Sequence, residues 1–342
     1  MRIRTLLATV TAGLAAATCL SAAGPANARP GHACSPSVSL DRFSDALDKA
    51  TYGGTYVGNL SALALDRDGS LAALSDRSAL FGLDARTLAP KSVVPLADEN
   101  GTALDSEGLV VDRDGTRLIT SETEPSIRRY SRDGAILDRL PVPAALQVAP
   151  AGRAVSNGTF EGLTLLPGGR ALLASMEYAL SGDTSGAVRF QTWERHAKSW
   201  KPAEQYAYRP DTGLGVPEVQ ALPDGRLLVL ERGFTSGVGN TVRLYLADPR
   251  HATDTSAVEN LTGQPGVRLI GKTLLADIVN CPTLGATAKQ PQPNPLLDNI
   301  EGMVVTGRSQ GAWKVLLVSD DNQNAVQTTR FFYLKVRTTP YR

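Results

Sequence analysis

Acidic residues recur in this chain at set places within a repeated phrase. Glu107, Glu161 and Glu301 each precede a glycine and a short apolar run, and Glu218 opens a related run. Asp76, Glu122, Glu177, Glu231 and Asp320 close the apolar runs that follow. Two arginines, Arg77 and Arg232, come directly after acidic members. Carboxylates gathered on one rim repel one another unless cations balance them or protons neutralise some of them. Arg77 and Arg232 are candidate partners, and a hard, oxygen-binding divalent cation, Ca²⁺ by donor type, is the other answer. A glutamate at the start of a strand has a structural alternative. It can accept hydrogen bonds from the backbone of the next repeat and lock the two together, while the following glycine permits close approach.

The elements that must position these groups are short hairpins. The clearest copy of the phrase runs Asp-Ser-Glu-Gly-Leu-Val-Val-Asp-Arg-Asp-Gly-Thr-Arg-Leu-Ile-Thr-Ser-Glu, from Asp105 to Glu122. Asp-Gly between two β-type runs is a hairpin signal, because glycine tolerates the positive φ of a tight turn. Antiparallel strands bring the ends of the phrase together, so Glu107 and Glu122 meet at one end of the hairpin. Copies begin at Ser61, Glu161, Glu218 and Glu301, and the turn glycines Gly69, Gly115, Gly169 and Gly225 are spaced by 46, 54 and 56 residues. A strand-built repeat of that length marks a propeller blade. The reading is an all-β chain forming a single β-propeller of six blades. A β-sandwich does not explain phrases this similar at this spacing.

Taken in order, residues 1–28 read as a signal peptide, with Arg2 and Arg4 before an apolar stretch and Ala26-Asn27-Ala28 as the cleavage site. The predicted product is secreted. Residues 29–54 form a lead-in with a helical turn near Ser44–Lys49, and residues 55–342 form the propeller. Blades are expected to begin near Thr55, Asp105, Asn157, Asp211 and Asn299. A degenerate extra blade is placed around 267–278, because 83 residues separate Glu218 from Glu301. The Gln- and Pro-rich stretch 289–297 reads as an exposed loop. Two cysteines, Cys34 and Cys281, remain after the leader, and an even count in an oxidising compartment predicts one disulfide.

Bulk properties exclude several classes. A formal net charge of +1 gives no electrostatic case for nucleic acid, and 6% aromatic residues leave few stacking platforms. No segment after the leader is long and apolar enough to span a membrane. No Gly-x-Ser-x-Gly elbow and no His-Glu-x-x-His motif is present, and His32, His196 and His251 lie off the repeated phrase, so they read as surface residues. Asp320-Asp321-Asn322 with Asn324 has calcium-loop residue types but lacks the Gly and distal Glu of an EF-hand.

The phrases taken together resemble the phytase-like, esterase-like family of secreted bacterial proteins. The resemblance is carried by Asp-Ser-Glu-Gly-Leu at 105, Asn-Gly-Thr-Phe-Glu-Gly-Leu at 157, the run from Arg209 to Arg232, Asp-Asn-Ile-Glu-Gly-Met at 298, and the closing Leu-Val-Ser-Asp-Asp-Asn at 317. It implies phosphoester hydrolysis at an acidic centre and carries over to Glu107, Glu161, Glu218, Glu231, Arg232, Glu301 and Asp320. The expected roles follow. Glu107, Glu161, Glu218, Glu231, Arg232 and Glu301 are catalytic. Arg77 and Arg232 bind substrate, and Glu107, Glu161, Glu301 and Asp320 hold the cation. The chain departs from the pattern at Ser61-Ala62-Leu63 and lacks the Asp-Ala-Ala-Asp-Asp-Pro-Ala stretch of β-propeller phytases, so phytate does not follow as the substrate. The expected partner is a small-molecule ester. A non-catalytic binding propeller with a structural Ca²⁺, or a Ca²⁺-dependent lactonase or carboxylester hydrolase, stands beside this reading.

Overall fold

The computed structural model describes residues 31–197 and 199–338; the leader and its cleavage site lie outside them. The described residues form one small two-stranded hairpin and five four-stranded antiparallel sheets. Their first strands are Leu60–Leu65, Ser106–Val111, Phe160–Leu165, Gly215–Ala221 and Asn299–Ser309. Each first strand touches that of the next blade, and the last returns to the first, so the five close a ring around an axis. The chain is a β-propeller, as the repeated phrase predicts.

The expected count of six blades is corrected to five. Within the stretch assigned to an extra blade, Gly271–Asp277 is the fourth strand of the blade that starts at Gly215. The long interval before it is an excursion over the preceding blade. Its backbone bonds that blade's outer strand, Thr255 N–H to Gln205 O and Ile270 N–H to Ala207 O, while Leu261 is buried with Ala187 and Ala207. Spacing alone cannot separate a long loop that makes its own contacts from an added sheet.

The fifth blade is closed from the other end of the chain. Val38–Ser44, inside the predicted lead-in, pairs antiparallel with Phe331–Val336, with Val38 opposite Val336 and Ser44 opposite Phe331. Residues 46–49 form turns rather than a helical turn, and a small hairpin, Ala50–Tyr52 with Thr55–Val57, leads into the first blade. Stretch 289–297 is a loop, but its apolar end is not exposed, since Leu296 and Leu297 are buried.

Alternating apolar residues place the core between adjacent sheets. Phe160 and Trp193 meet edge to face there, with ring centroids 5.8 Å apart. The largest core cluster joins the fourth and fifth blades and includes both Cys34 and Cys281. These two form the predicted disulfide, linking residues 247 apart in sequence.

Candidate functional site

The repeated hairpins aim their ends at one mouth of the ring. In the first strand of every blade the register slips by a residue at the phrase's Glu-Gly position: between Leu60 and Ala62, Ser106 and Leu109, Phe160 and Leu163, Gly215 and Glu218, and Ile300 and Gly302. A bulge of this kind turns a side chain away from its regular face. The glycines are needed for close approach to the next blade. A Cβ on Gly108 would collide with the Glu161 carbonyl and lie 2.7 Å from Leu163 Cβ. One on Gly162 would lie 2.6 Å from Val219 N, and one on Gly302 would lie 3.2 Å from Ser61 O.

At the far end of three hairpins a backbone bond fixes the closing acid. Asp76, Glu122 and Glu177 donate their N–H groups to the carbonyls of Asn59, Asp105 and Thr159. Asp320 stands opposite Asn299 in the same position of the fifth blade.

The result is a cavity of about 350 Å³ whose lining includes Asp76, Asp105, Glu107, Glu122, Glu161, Glu177, Glu301 and Asp320, together with Arg77 and Arg232. Two carboxylate triads sit within it. Oxygens of Asp105, Glu107 and Glu122 lie within 4.8 Å of one another, and so do those of Glu122, Glu161 and Glu177. Glu122 belongs to both. It is buried, and its Oε1 has no hydrogen-bond partner. Asp76 Oδ1 is also buried without a hydrogen bond, although Arg77 Nε lies 3.5 Å from it.

Burial is the first cause of strain on this charge, and mutual repulsion is the second. Burial, then Glu301, Asp105 and Glu122, raise the Glu107 carboxyl well above its ordinary range. Burial, then Glu107, Glu177 and Glu122, do the same to Glu161. Asp320 is raised by burial and by Glu301 and Asp76. Burial pushes Glu122 up to about 7, with Glu177 and Asp105 adding to it. Asp76 reaches about 7 as well, chiefly by burial, against the pull of Arg77. Glu177 is raised by burial despite Arg232.

Arg232 is the cation inside the ring. Its Nη2 donates to Glu301 Oε1 at 2.6 Å and lies 3.6 Å from Glu177 Oε1. Burial disfavours its charge, but Glu301, Glu177 and Glu161 outweigh that effect and hold the guanidinium protonated. Asn299 Nδ2 donates to Glu301 Oε1 at 2.9 Å, and Asn322 N–H donates to Asp320 Oδ1 at 2.7 Å. Tyr178, pushed up to about 12 by burial and then by Glu177, stays a hydroxyl and hydrogen-bonds that carboxylate.

The ring therefore gathers Glu107, Glu161, Arg232, Glu301, Asp320 and Arg77 from the predicted set, with Arg77 largely exposed at the edge. Glu218 and Glu231 are not among the residues that line the cavity. The register explains Glu218. Gly215 opposite Arg232 matches Ser106 opposite Ser121, so Val216 holds the place of Glu107, and Glu218 lies two residues further on. Fully buried there, Glu218 accepts from the N–H groups of Val219, at 2.8 Å, and of Leu163 in the neighbouring blade, at 3.3 Å. Glu231 accepts from Tyr208 Oη and Lys272 Nζ, at 2.6 and 2.5 Å, and from the Asp211 N–H, in a polar network between strands. Blade four thus breaks the acidic pattern at both positions, with Val216 and Gly233, and supplies Arg232 instead.

Asp105, Asn157 and Tyr178 line the cavity without having been singled out as site residues from the sequence. Asp105 was visible as the first residue of the clearest phrase. Asn157 and Tyr178 carry no repeated signal.

Comparison with known proteins gives one family. The family described as "Phytase-like: Esterase-like activity of phytase" matches residues 55–323. No match is found among curated proteins. Among solved structures, glutaminyl cyclase from Myxococcus xanthus is similar at 12% identity, over 89% of this chain and 97% of that one, with a TM-score of 0.46. The PQQ-bound aldose sugar dehydrogenase from Streptomyces coelicolor is similar at 12% identity, over 90% of this chain and 100% of that one, with a TM-score of 0.43. A chain of the mitotic checkpoint complex is matched at 14% identity, over 52% of this chain and 47% of its own length, with a TM-score of 0.33.

Proposed function

We propose, because this chain belongs to the phytase-like family over residues 55–323, that the acidic cavity hydrolyses phosphate esters with the help of a divalent cation. The observation that carries this reading is the pair of carboxylate triads sharing Glu122, beside a buried guanidinium in the same cavity. An all-oxygen donor set fits a hard cation such as Ca²⁺, and the unpartnered Glu122 Oε1 is a lone pair the fold leaves for such a ligand. Asp105, Glu107, Glu122, Glu161 and Glu177 would hold it. When bound, it would supply Lewis-acid polarisation of the ester oxygen and relieve the repulsion among these groups.

The protein's own groups do the rest. Arg232 presents its fork to phosphoryl oxygens, and its pairing with Glu301 fixes its direction. Asp76 lies outside both triads. Raised to about 7, it is suited to take a proton from water near neutral pH. Asn299 holds Glu301 in place, and Tyr178 holds Glu177. Secretion accords with the Cys34–Cys281 disulfide, which belongs to an oxidising compartment.

The test is a panel of phosphomonoesters and phosphodiesters assayed with and without chelator. Turnover lost on chelation and restored by Ca²⁺ supports the reading. Chelator-sensitive turnover of carboxylesters or lactones alone would transfer the same cavity to carboxylester chemistry, which the family's description also admits. Activity on none of these, with melting that depends on Ca²⁺, would leave an ion-stabilised binding propeller.

A further inference from the structure

The two adjacent acids of the closing phrase Leu-Val-Ser-Asp-Asp-Asn go different ways. Asp320 lines the acidic cavity, whereas Asp321 is not among its lining residues and is fully buried. Four donors meet the Asp321 carboxylate. The N–H groups of Asn59 and Gln323 donate to Oδ1 at 3.0 and 3.3 Å, Lys49 Nζ donates to Oδ2 at 2.5 Å, and Tyr56 Oη donates to the same oxygen. A Cβ on Gly58 would lie 2.7 Å from Oδ1, so the carboxylate comes this close only because that position is glycine. Asp321 is thus satisfied from within the fold, despite the calcium-loop residue types around it.

The contact that reaches the site is the one to Asn59. Its carbonyl accepts the Asp76 N–H at 2.9 Å, the bond that fixes the closing acid of the first blade. Asn59 is buried with a positive φ of 53°, and Lys49, across the same carboxylate, has one of 59°. Residues other than glycine rarely rest in this region, and they persist where their neighbours over-determine them. Elsewhere in the ring the start of a blade is tied to the backbone of the preceding closing acid. Ser106 N–H donates to Asp76 O at 3.3 Å, and Thr159 Oγ1 donates to Glu122 O at 2.8 Å. At the seam where the fifth blade meets the first, the tie runs through the side chain of Asp321. One substitution can therefore loosen it without touching a residue that lines the cavity.

We propose that Asp321 is a positioning residue for the acidic cavity: acting through Asn59 across the seam of the ring, it sets where Asp76 stands. That Asp76 takes a proton from water rests on the hydrolase reading; its placement by Asp321 does not.

The test reads placement and turnover separately, on the full chain. Amide hydrogen exchange followed by NMR reports on the Asp76–Asn59 bond. Asp321→Ala removes the acceptor for Asn59 N–H. Exchange at Asp76 is expected to speed up about tenfold in it, relative to Glu122 and Glu177, whose N–H groups bond Asp105 and Thr159. Asp321→Asn keeps an oxygen for Asn59 and turns a donor towards Tyr56 Oη, while Lys49 loses its ion pair. It is expected to melt lower than the parent yet keep slow exchange at Asp76. Tyr56→Phe, which removes one donor and little volume, is the milder probe should Asp321→Ala not fold, and exchange at Asp76 is expected to rise about threefold in it. On a phosphate ester that the parent turns over, Asp321→Ala should lose about tenfold or more in kcat, with KM and Ca²⁺ affinity little changed, and Asp321→Asn should recover most of that loss. Unchanged exchange at Asp76 in folded Asp321→Ala or in Tyr56→Phe overturns the proposal. So does a loss of kcat that follows melting temperature and is equal in the alanine and asparagine variants. If the parent hydrolyses no ester while exchange at Asp76 responds as expected, the hydrolase reading fails and the placement of Asp76 by Asp321 stands.

Discussion

Arg232 and Glu301, on the fourth and fifth blades, form a buried ion pair at 2.6 Å across the mouth of the ring. Glu177 on the third blade lies 3.6 Å from the same nitrogen. One guanidinium thus ties together carboxylates from two other sheets, at the one blade whose own acidic positions are filled by Val216 and Gly233. Its removal leaves the buried Glu301 and Glu177 carboxylates without their cation. Arg232→Ala is expected to cost about 3 kcal/mol in chemical denaturation. Arg232→Lys should recover much of that stability without recovering turnover, because an ammonium lacks the planar fork. Equal activity in the lysine variant would remove the phosphate-orienting role.

The contrast between Glu161 and Glu218 tests the register. Glu161→Gln removes a carboxylate from a triad and is expected to abolish chelator-sensitive turnover and weaken Ca²⁺ binding measured by calorimetry. Burial raises the Glu218 carboxyl well above the carboxylate range, against the pull of the backbone N–H groups it accepts from. Its Oε1 accepts backbone hydrogen bonds while Oε2 has no partner. Glu218→Gln keeps the acceptor and is expected to melt and turn over like the parent, whereas Glu218→Ala empties a packed site and costs about 2–3 kcal/mol. Loss of activity in Glu218→Gln with melting unchanged would restore it to the chemistry.

Close approach at the axis makes a ranking of glycines. Gly108→Ala meets rigid backbone at Glu161, whereas Gly302→Ala meets chiefly the Val318 side chain, 2.6 Å away, which can rotate. Both should destabilise, by about 1–3 kcal/mol, with Gly108→Ala the worse. Urea midpoints in the reverse order would contradict the interlock between the second and third blades.

Proton linkage gives a pH dependence with a definite sign. Asp76 and Glu122 are raised from ordinary values of 3.8 and 4.5 to about 7, and Glu107, Glu161, Glu177 and Asp320 are raised too. Across that window the folded chain holds more protons than the unfolded one, so stability falls as pH rises. Chelated protein is expected to melt at a lower temperature at pH 8 than at pH 5, and Ca²⁺ should restore most of the difference at pH 8, because a bound cation replaces the protons. A melting temperature that rises with pH after chelation would contradict the buried, repelling ring.

Reduction offers a fifth measurement. The Cys34–Cys281 bridge spans 247 residues, and opening it should lower stability by about 5 kcal/mol in the chain-entropy account. An unchanged melting curve under reductant would show that the core joining blades four and five suffices without it.

The sequence carried the fold wherever one rule repeated. Asp-Gly turns, alternating apolar runs and Glu-Gly starts are local, so they revealed the hairpins and the side of the ring on which Glu107, Glu161 and Glu301 gather. The blade count failed because residues 249–270 spend their length on an excursion, and length does not reveal where a chain travels. The strand Val38–Ser44 was missed because its partner lies almost 300 residues away. Glu218 was misread because bulge register belongs to pairing and not to spelling: a Pro-Glu looks like a Glu-Gly displaced by little, yet it sits two positions along.

Joining Val38–Ser44 to Phe331–Val336 sets an order on the molecule's birth. The strand made near the start must wait, unpaired, while four complete blades emerge from the ribosome. Until the last strands arrive, the ring stays open beside its largest apolar seam. A nascent chain stalled before Phe331 would thus present that seam to chaperones and proteases.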